Sequence, residues 1–300
     1  MDSDEDDGHS FWSRPFTFGS VSLRVEELWG EGIGGTVWEG GVLAARYLSS
    51  PAFAALGIGK GRCIELGAGV SALPSLVAAH LGCFTEVVAT DIRECYEGLQ
   101  ANVAANLPAC AHLESCSRPE GKPPEHIGWD EVKPSVVQAL ISDQNHARDR
   151  AHSDAESLST AAFEQQGTAA PNQYRSHESG KINQVQNGRK YGTMIKVQVL
   201  DWRDDVAFLG PPFDVILVAD VVYVAELAEP LLLCMWRLSN ASSVILLAYY
   251  ERSKSAHARF WELLPSYFNA VKIPESSYGQ NEQAASIGLF RLHRIEYIPA

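Results

Sequence analysis

Two glycines set just behind an acidic residue, in Cys63-Ile64-Glu65-Leu66-Gly67-Ala68-Gly69-Val70-Ser71, are the residues of this chain best suited to holding a small molecule. Glycine takes positive φ without strain and has no Cβ to keep a ligand at a distance. A carboxylate beside such a turn can accept hydrogen bonds from a polar ligand group. A second carboxylate, Asp91, closes the segment Glu86-Val87-Val88-Ala89-Thr90-Asp91. It follows the glycines by about 20 residues, the spacing at which an acidic side chain takes ribose hydroxyls in nucleoside-binding folds. The same carboxylate could instead cap a helix that begins near Arg93. The pattern points to a nucleoside cofactor and leaves NAD, FAD and S-adenosylmethionine open. Against a dinucleotide stands Ala72, which occupies the third glycine position of G-x-G-x-x-G.

The elements that must position these residues can be read from the periodicity. Apolar Cys63–Leu66 predicts a buried strand, and Leu73, Leu76, Val77, His80 and Leu81 fall on one helical stripe after the turn. Strand, glycine turn and amphipathic helix open a doubly wound α/β domain, in which ligands sit at the carboxyl ends of the strands. Further strands are predicted over Met194–Leu200, Phe213–Ala219, Ser243–Tyr250, Ala270–Ile273 and Ile287–Leu292. With the two strands above, these make a sheet of seven. Helices are expected around Leu99–Asn106, Leu227–Met235 and Phe260–Leu264, so mostly parallel, right-handed crossovers follow.

Five segments, taken in order, resemble the class I, seven-strand S-adenosylmethionine-dependent methyltransferases, and among them the protein-lysine methyltransferases of methyltransferase family 16. The glycine turn is one. Gly34-Gly35-Thr36-Val37-Trp38 is similar to the family's G-x-x-V-W segment, and Leu99-Gln100-Ala101-Asn102-Val103-Ala104-Ala105-Asn106 to its L-x-x-N-V-x-x-N helix. Leu200-Asp201-Trp202 resembles its L-D-W, and Asp220-Val221-Val222-Tyr223 its D-x-x-Y. The loop Ser71-Ala72-Leu73-Pro74-Ser75 departs from the family pattern by one extra residue.

The resemblance implies a Rossmann-like methyltransferase sheet with helices on both faces, and S-adenosylmethionine as cofactor. By that resemblance Glu65, Gly67 and Gly69 hold the methionine end, Asp91 the ribose, and Asp201 and Trp202 the adenine, with Trp38 covering the cofactor. Asp220 and Tyr223 are the catalytic candidates, one as an acceptor in the crevice and one as an aromatic wall; Asp220 also borders the cofactor. Glu251-Arg252 resembles an arginine-containing segment on the substrate side, although exposed pairs of this kind are usually inert. Asn102 and Asn106, four apart on one helix, read as surface residues or as a C-cap. The implied reaction is N-methylation of a lysine on a protein, a chaperone or translation factor by family resemblance. The alternatives are a small-molecule or histidine N-methyltransferase, or a non-catalytic cofactor-binding interaction protein.

Composition narrows the partners. A net charge of −13 and a pI near 5.1 disfavour nucleic acid, whose phosphates require a basic surface, and suit a cationic target. No apolar run is long enough to span a membrane, and the acidic start lacks the basic n-region of a signal peptide. A cytoplasmic, or also nuclear, monomer is expected. The cysteines Cys63, Cys83, Cys95, Cys110, Cys116 and Cys234 include no C-x-x-C pair, so reduced structural thiols are expected and no metal site. Residues 1–14 read as an acidic tail and 15–300 as one methyltransferase domain. Within it, residues 108–192 are polar and aperiodic and read as a disordered insertion, with a short amphipathic helix near Val132–Ile141.

Overall fold

The structure is a computed structural model that describes residues 11–28, 32–58, 61–107, 111–115, 193–278 and 287–296. An antiparallel hairpin, β1 (Phe11–Phe18) and β2 (Val21–Leu28), comes first. Then follow α1 (Glu39–Leu48), α2 (Pro51–Ala54), β3 (Gly61–Leu66), α3 (Leu73–Leu81), β4 (Phe84–Asp91), α4 (Tyr96–Ala105) and β5 (His112–Ser115). The second half holds β6 (Met194–Val199), β7 (Val215–Ala219), α5 (Ala228–Leu238), β8 (Val244–Tyr249), α6 (Lys254–Leu263), β9 (Phe268–Lys272) and β10 (Gly288–Arg294).

The main sheet has the order β5-β6-β4-β3-β7-β8-β10-β9. The six strands from β5 to β8 in that order pair in parallel, and β10 runs antiparallel to both β8 and β9. The chain winds from β3 towards β4 on one side and towards β7 on the other. The crevice at the carboxyl ends of β3 and β7 is therefore the topological switch point, where ligands bind in such sheets. Helices cover both faces, which is why β7 and β8 are apolar throughout rather than alternating: Val215–Val218 and Val244–Leu247 are all buried, as are Ile64 and Leu66 of β3. One core lies beneath α1 and α3 and includes Leu43, Leu76, Ile195 and Leu217; the other lies beneath α5 and α6 and includes Leu231, Met235, Phe260 and Phe268. Each such fully buried side chain contributes about 1.5–3 kcal/mol relative to exposure.

Three expectations need correction. Among the described residues the sheet has eight strands rather than seven, because His112–Ser115 pairs in parallel with Met194–Val197 as an edge strand. These four residues were counted in the aperiodic segment starting at residue 108. A four-residue edge strand with one neighbour carries too little periodicity to be read from sequence. Second, residues 11–14, counted in the acidic tail expected over residues 1–14, belong to β1, while residues 1–10 lie outside the described residues. Third, the β1–β2 hairpin was not foreseen, although β2 alternates with Val21, Leu23, Val25 and Glu27 buried. The remainder of the expected insertion, including the helix near Val132–Ile141, lies outside the described residues.

Candidate active site

Five strands deliver the candidate side chains to one edge of the sheet. β3 ends at Leu66 and the chain turns on Gly67 (φ 69°) and Gly69 (φ 58°). Three hydrogen bonds fix this turn. Ala68 N donates to Thr90 O (2.9 Å), Gly69 N to Asp91 Oδ2 (2.7 Å) and Val70 N to Gly34 O (2.8 Å). A Cβ on Gly67 would lie 2.6 Å from Val221 Cγ1, and one on Gly69 would lie 2.8 Å from Gly34 O. Both glycines are thus required by conformation and by close approach. Ala72, the residue in place of the third glycine, takes a left-handed conformation (φ 43°) at the N-cap of α3, which is uncommon for a residue with a Cβ.

The two carboxylates of the sequence pattern flank this turn. Asp91 accepts from Gly69 N and, through Oδ1, from Ile92 N at 2.7 Å. The short 3-10 turn at Arg93–Cys95 has Ile92 as its N-cap, with no side-chain cap. Asp91 therefore reaches back to the glycine turn instead of capping the next segment. Burial raises its carboxyl pKa, and the Gly69 and Ile92 amides oppose that rise. Glu65 is buried beneath the turn, where Oε2 accepts from Ser75 N (2.8 Å) in the first turn of α3. Its carboxyl is raised to about 7, because desolvation outweighs the hydrogen bonds from Ser75.

At the end of β6, Asp201 is paired with Arg203, whose Nε and backbone N both donate to Oδ1 at 2.8 and 2.9 Å. Sequence reasoning did not single out Arg203; an acidic residue followed two places later by arginine was the available signal. Trp202 packs against the α5–α6 core, and its ring would lie 3.3 Å from a Cβ on Gly67. The turn and the indole thus border the same space.

Asp220 follows β7 with φ 58°, a left-handed conformation that aspartate tolerates better than most residues. Its side chain is fully buried. Oδ2 accepts from Gly40 N (2.7 Å) in the first turn of α1 and from Arg252 Nη2 (3.0 Å), while Oδ1 has no hydrogen-bond partner. Burial raises the Asp220 pKa, opposed by the Arg252 charge and the Gly40 amide. Arg252 also donates to Glu39 Oε2 (3.1 Å), and its guanidinium carbon lies over the rings of Trp38 (4.6 Å) and Tyr250 (4.3 Å). Arg252 of the pair Glu251-Arg252 is thus not an inert surface residue: it joins Glu39, Asp220, Trp38 and Tyr250. Trp38 is itself fixed by an Nε1 hydrogen bond to Ile33 O (2.9 Å).

Tyr223 stands three residues beyond Asp220, past the end of β7. Burial pushes its phenol well above the ordinary value, and the nearby Asp91 and Cys95 push it further. Its electrostatic neighbours are thus Asp91 and Cys95, whereas Asp220 is engaged by Gly40 and Arg252.

Asn102 and Asn106 are neither surface residues nor a simple cap. Asn102 Oδ1 accepts from Glu26 N, and its Nδ2 donates to Glu26 O and Val70 O, all at 2.8 Å. Asn106 makes the same paired bonds to Arg24 N and O. Four residues of helix advance about 6 Å and two residues of strand about 6.6 Å, so the two amides match alternate residues of β2 as a neighbouring strand would. Of the cysteines, Cys63, Cys95 and Cys234 are buried and Cys83 is partly buried, none of the four in a disulfide, whereas Cys110 and Cys116 lie outside the described residues. Among the described residues no group of three or more His, Cys, Asp or Glu side chains is arranged to hold a metal ion.

The arrangement suits a nucleoside cofactor. Two left-handed glycines let the chain turn tightly against Val221 and Gly34, carboxylates stand on both sides, and the indole of Trp202 borders the turn.

Residues 17–117 and 177–266 match the profile of the lysine methyltransferase family, more than half of the chain. Among curated proteins, mouse protein N-lysine methyltransferase METTL21A is 35% identical over 94 residues, which cover 31% of this chain and 40% of that protein. The chain thus spans less than half the length of that relative. Among solved structures, the Thermus thermophilus 16S rRNA N2 G1207 methyltransferase RsmC, in complex with AdoMet and guanosine, is 13% identical with a TM-score of 0.46, covering 95% of this chain and 51% of that one. A TehB-like SAM-dependent methyltransferase from Corynebacterium glutamicum is 10% identical with a TM-score of 0.41, covering 84% and 88%.

Proposed function

The chain belongs to the lysine methyltransferase family of S-adenosylmethionine-dependent enzymes, and on that footing we propose that it methylates the side-chain nitrogen of a lysine in a protein substrate. The observation that carries the reading is a fully buried aspartate, Asp220, with one carboxylate oxygen fixed by Gly40 and Arg252 and the other without a partner, at the same sheet edge as the glycine turn.

In this reading Gly67 and Gly69 let the methionine end approach the backbone, with Glu65 setting the turn from beneath. Asp91 receives the ribose hydroxyls on lone pairs left over from its amide bonds. Asp201 and Trp202 take the adenine, and Trp38 lies on the N-terminal side. The cofactor supplies a methyl group on a sulfonium sulfur, which leaves as a neutral thioether with the C–S electron pair. A lysine ammonium, with a pKa near 10.4, must first lose a proton to solvent to free its lone pair. Oδ1 of Asp220 then accepts a hydrogen bond from the neutral amine and holds it in line, and such alignment is a large part of the rate. With the cofactor bound, the amine lone pair would take the methyl group while sulfur keeps the C–S electrons, and the methylated nitrogen beside Asp220 would carry the positive charge. Tyr223 walls the crevice beside Asp91.

A cationic partner suits the net charge of −13. A chaperone or translation factor as acceptor, and a cytoplasmic or nuclear monomer, remain proposals that rest on resemblance and composition. Calorimetric titration with S-adenosylmethionine, with NAD as control and Asp91→Ala as variant, tests the cofactor half. Micromolar binding that Asp91→Ala weakens is expected; binding of NAD instead would defeat the reading. Labelled cofactor offered with lysine-rich peptides, histidine peptides and small amines tests the acceptor half, and label on small amines alone would defeat it.

A further inference from the structure

The surroundings of Arg252 form a cation site. Two aromatic faces, Trp38 at 4.6 Å and Tyr250 at 4.3 Å, and two carboxylates, Glu39 at 3.1 Å and Asp220 at 3.0 Å, converge on one guanidinium. Aromatic faces with carboxylates are the chemistry that recognises ammonium and guanidinium groups, and cation–π attraction strengthens as water is excluded. The guanidinium is itself nearly buried, at 9% side-chain exposure, and its Nε has no hydrogen-bond partner. The chain thus fills with its own side chain a cage that would otherwise be open to a cation from outside, beside the one free oxygen of Asp220.

We infer that Arg252 is a specificity-determining residue of the acceptor site: by occupying the Trp38–Tyr250–Glu39–Asp220 cage it denies that cage to protonated side chains, so that the acceptor enters as a neutral amine bonded to Asp220 Oδ1. This rests on the proposed amine methylation. With Arg252 in place, the positive charge beside Asp220 disfavours a second cation and leaves a neutral N–H donor unpenalised. Without it, two carboxylates and two rings face the crevice, and an ammonium binds there in an unproductive ion pair, since a protonated nitrogen has no lone pair for the methyl carbon.

The test uses the full chain with Arg252→Gln and Arg252→Lys, and methylguanidinium as the probe cation at concentrations that do not unfold the protein. Calorimetry is expected to show methylguanidinium binding to Arg252→Gln about tenfold tighter than to the wild type, with Arg252→Lys close to the wild type. In transfer to a lysine peptide, Arg252→Gln is expected to lower both KM and kcat at neutral pH, a split that loss of folding would not produce. Arg252→Met keeps an unbranched apolar stem between the two rings and removes the charge; should Arg252→Gln fail to fold, this variant is expected to raise methylguanidinium affinity in the same direction. Equal affinity in the wild type and the folded variant would overturn the inference. The binding comparison needs no turnover, so a wild type that transfers no methyl group would count against the proposed reaction, and the cage would still be judged by its own result.

Discussion

The carboxylate of Asp220 lies 2.7 Å from the backbone nitrogen of Gly40, 180 positions away in the chain. That contact joins the end of β7 to the start of α1. It places a negative charge at a helix N-terminus, where unpaired amides and the helix dipole favour it. It also explains why residue 40 has no side chain, since a Cβ there would lie 2.7 Å from Oδ2 and 2.8 Å from Cγ.

Gly40→Ala is therefore expected to disturb Asp220 rather than only α1. Alanine suits a helix interior, so propensity alone would favour the change. The clash reverses the sign, and a net loss of about 1–3 kcal/mol is expected, together with loss of methyl transfer. Thermal unfolding and a transfer assay check this; an equal or higher Tm would contradict it.

Asp220→Asn keeps the shape and the tolerance for a left-handed backbone but removes the charge that Arg252 and α1 hold. The fold and cofactor affinity are expected to persist while transfer falls by about 100-fold or more, the scale set by removal of one positioned acceptor. Circular dichroism, calorimetry and initial rates separate these effects.

Gly67→Ala meets both a positive φ of 69° and the Val221 side chain at 2.6 Å. Cofactor affinity is expected to drop at least about tenfold, since the strained turn borders the site and one displaced backbone group is worth about 1.4 kcal/mol or more. An unchanged Kd would separate the glycine turn from the cofactor.

Glu65 gives stability a pH dependence. The folded protein holds its proton to about pH 7, whereas the ordinary carboxyl releases it near 4.5. Through that window the folded state binds more protons than the unfolded one, so stability from this group falls as pH rises, by about 3 kcal/mol at the upper end. Urea unfolding at pH 5 and pH 8 is expected to show a smaller difference for Glu65→Gln than for the wild type. Equal differences would contradict the buried, late-ionising carboxyl.

The strand-turn-helix at Gly67 and the acidic residues at strand ends were legible because they are local: conformation, periodicity and spacing all lie within about 30 residues. What stayed hidden depends on pairs far apart in sequence. Arg252 reads as a common exposed residue until β8 brings it to Asp220 and to Glu39, 32 and 213 positions away. Asn102 and Asn106 show their purpose only once β2 lies alongside α4, 76 and 82 positions off. Tyr223 stands with Asp220 in the D-x-x-Y resemblance, yet besides burial the groups that raise its phenol are Asp91 and Cys95. The edge strand His112–Ser115 escaped for a different reason, namely that four residues carry no decisive period.

The most direct test of lysine methylation is to incubate the wild type and Asp220→Asn with methyl-labelled S-adenosylmethionine and a lysine-rich protein mixture, and to locate the label by mass spectrometry. Label on lysine side-chain nitrogen, present with the wild type and lost with Asp220→Asn, is the expected result. Label on another residue type, or equal labelling by both proteins, would contradict it.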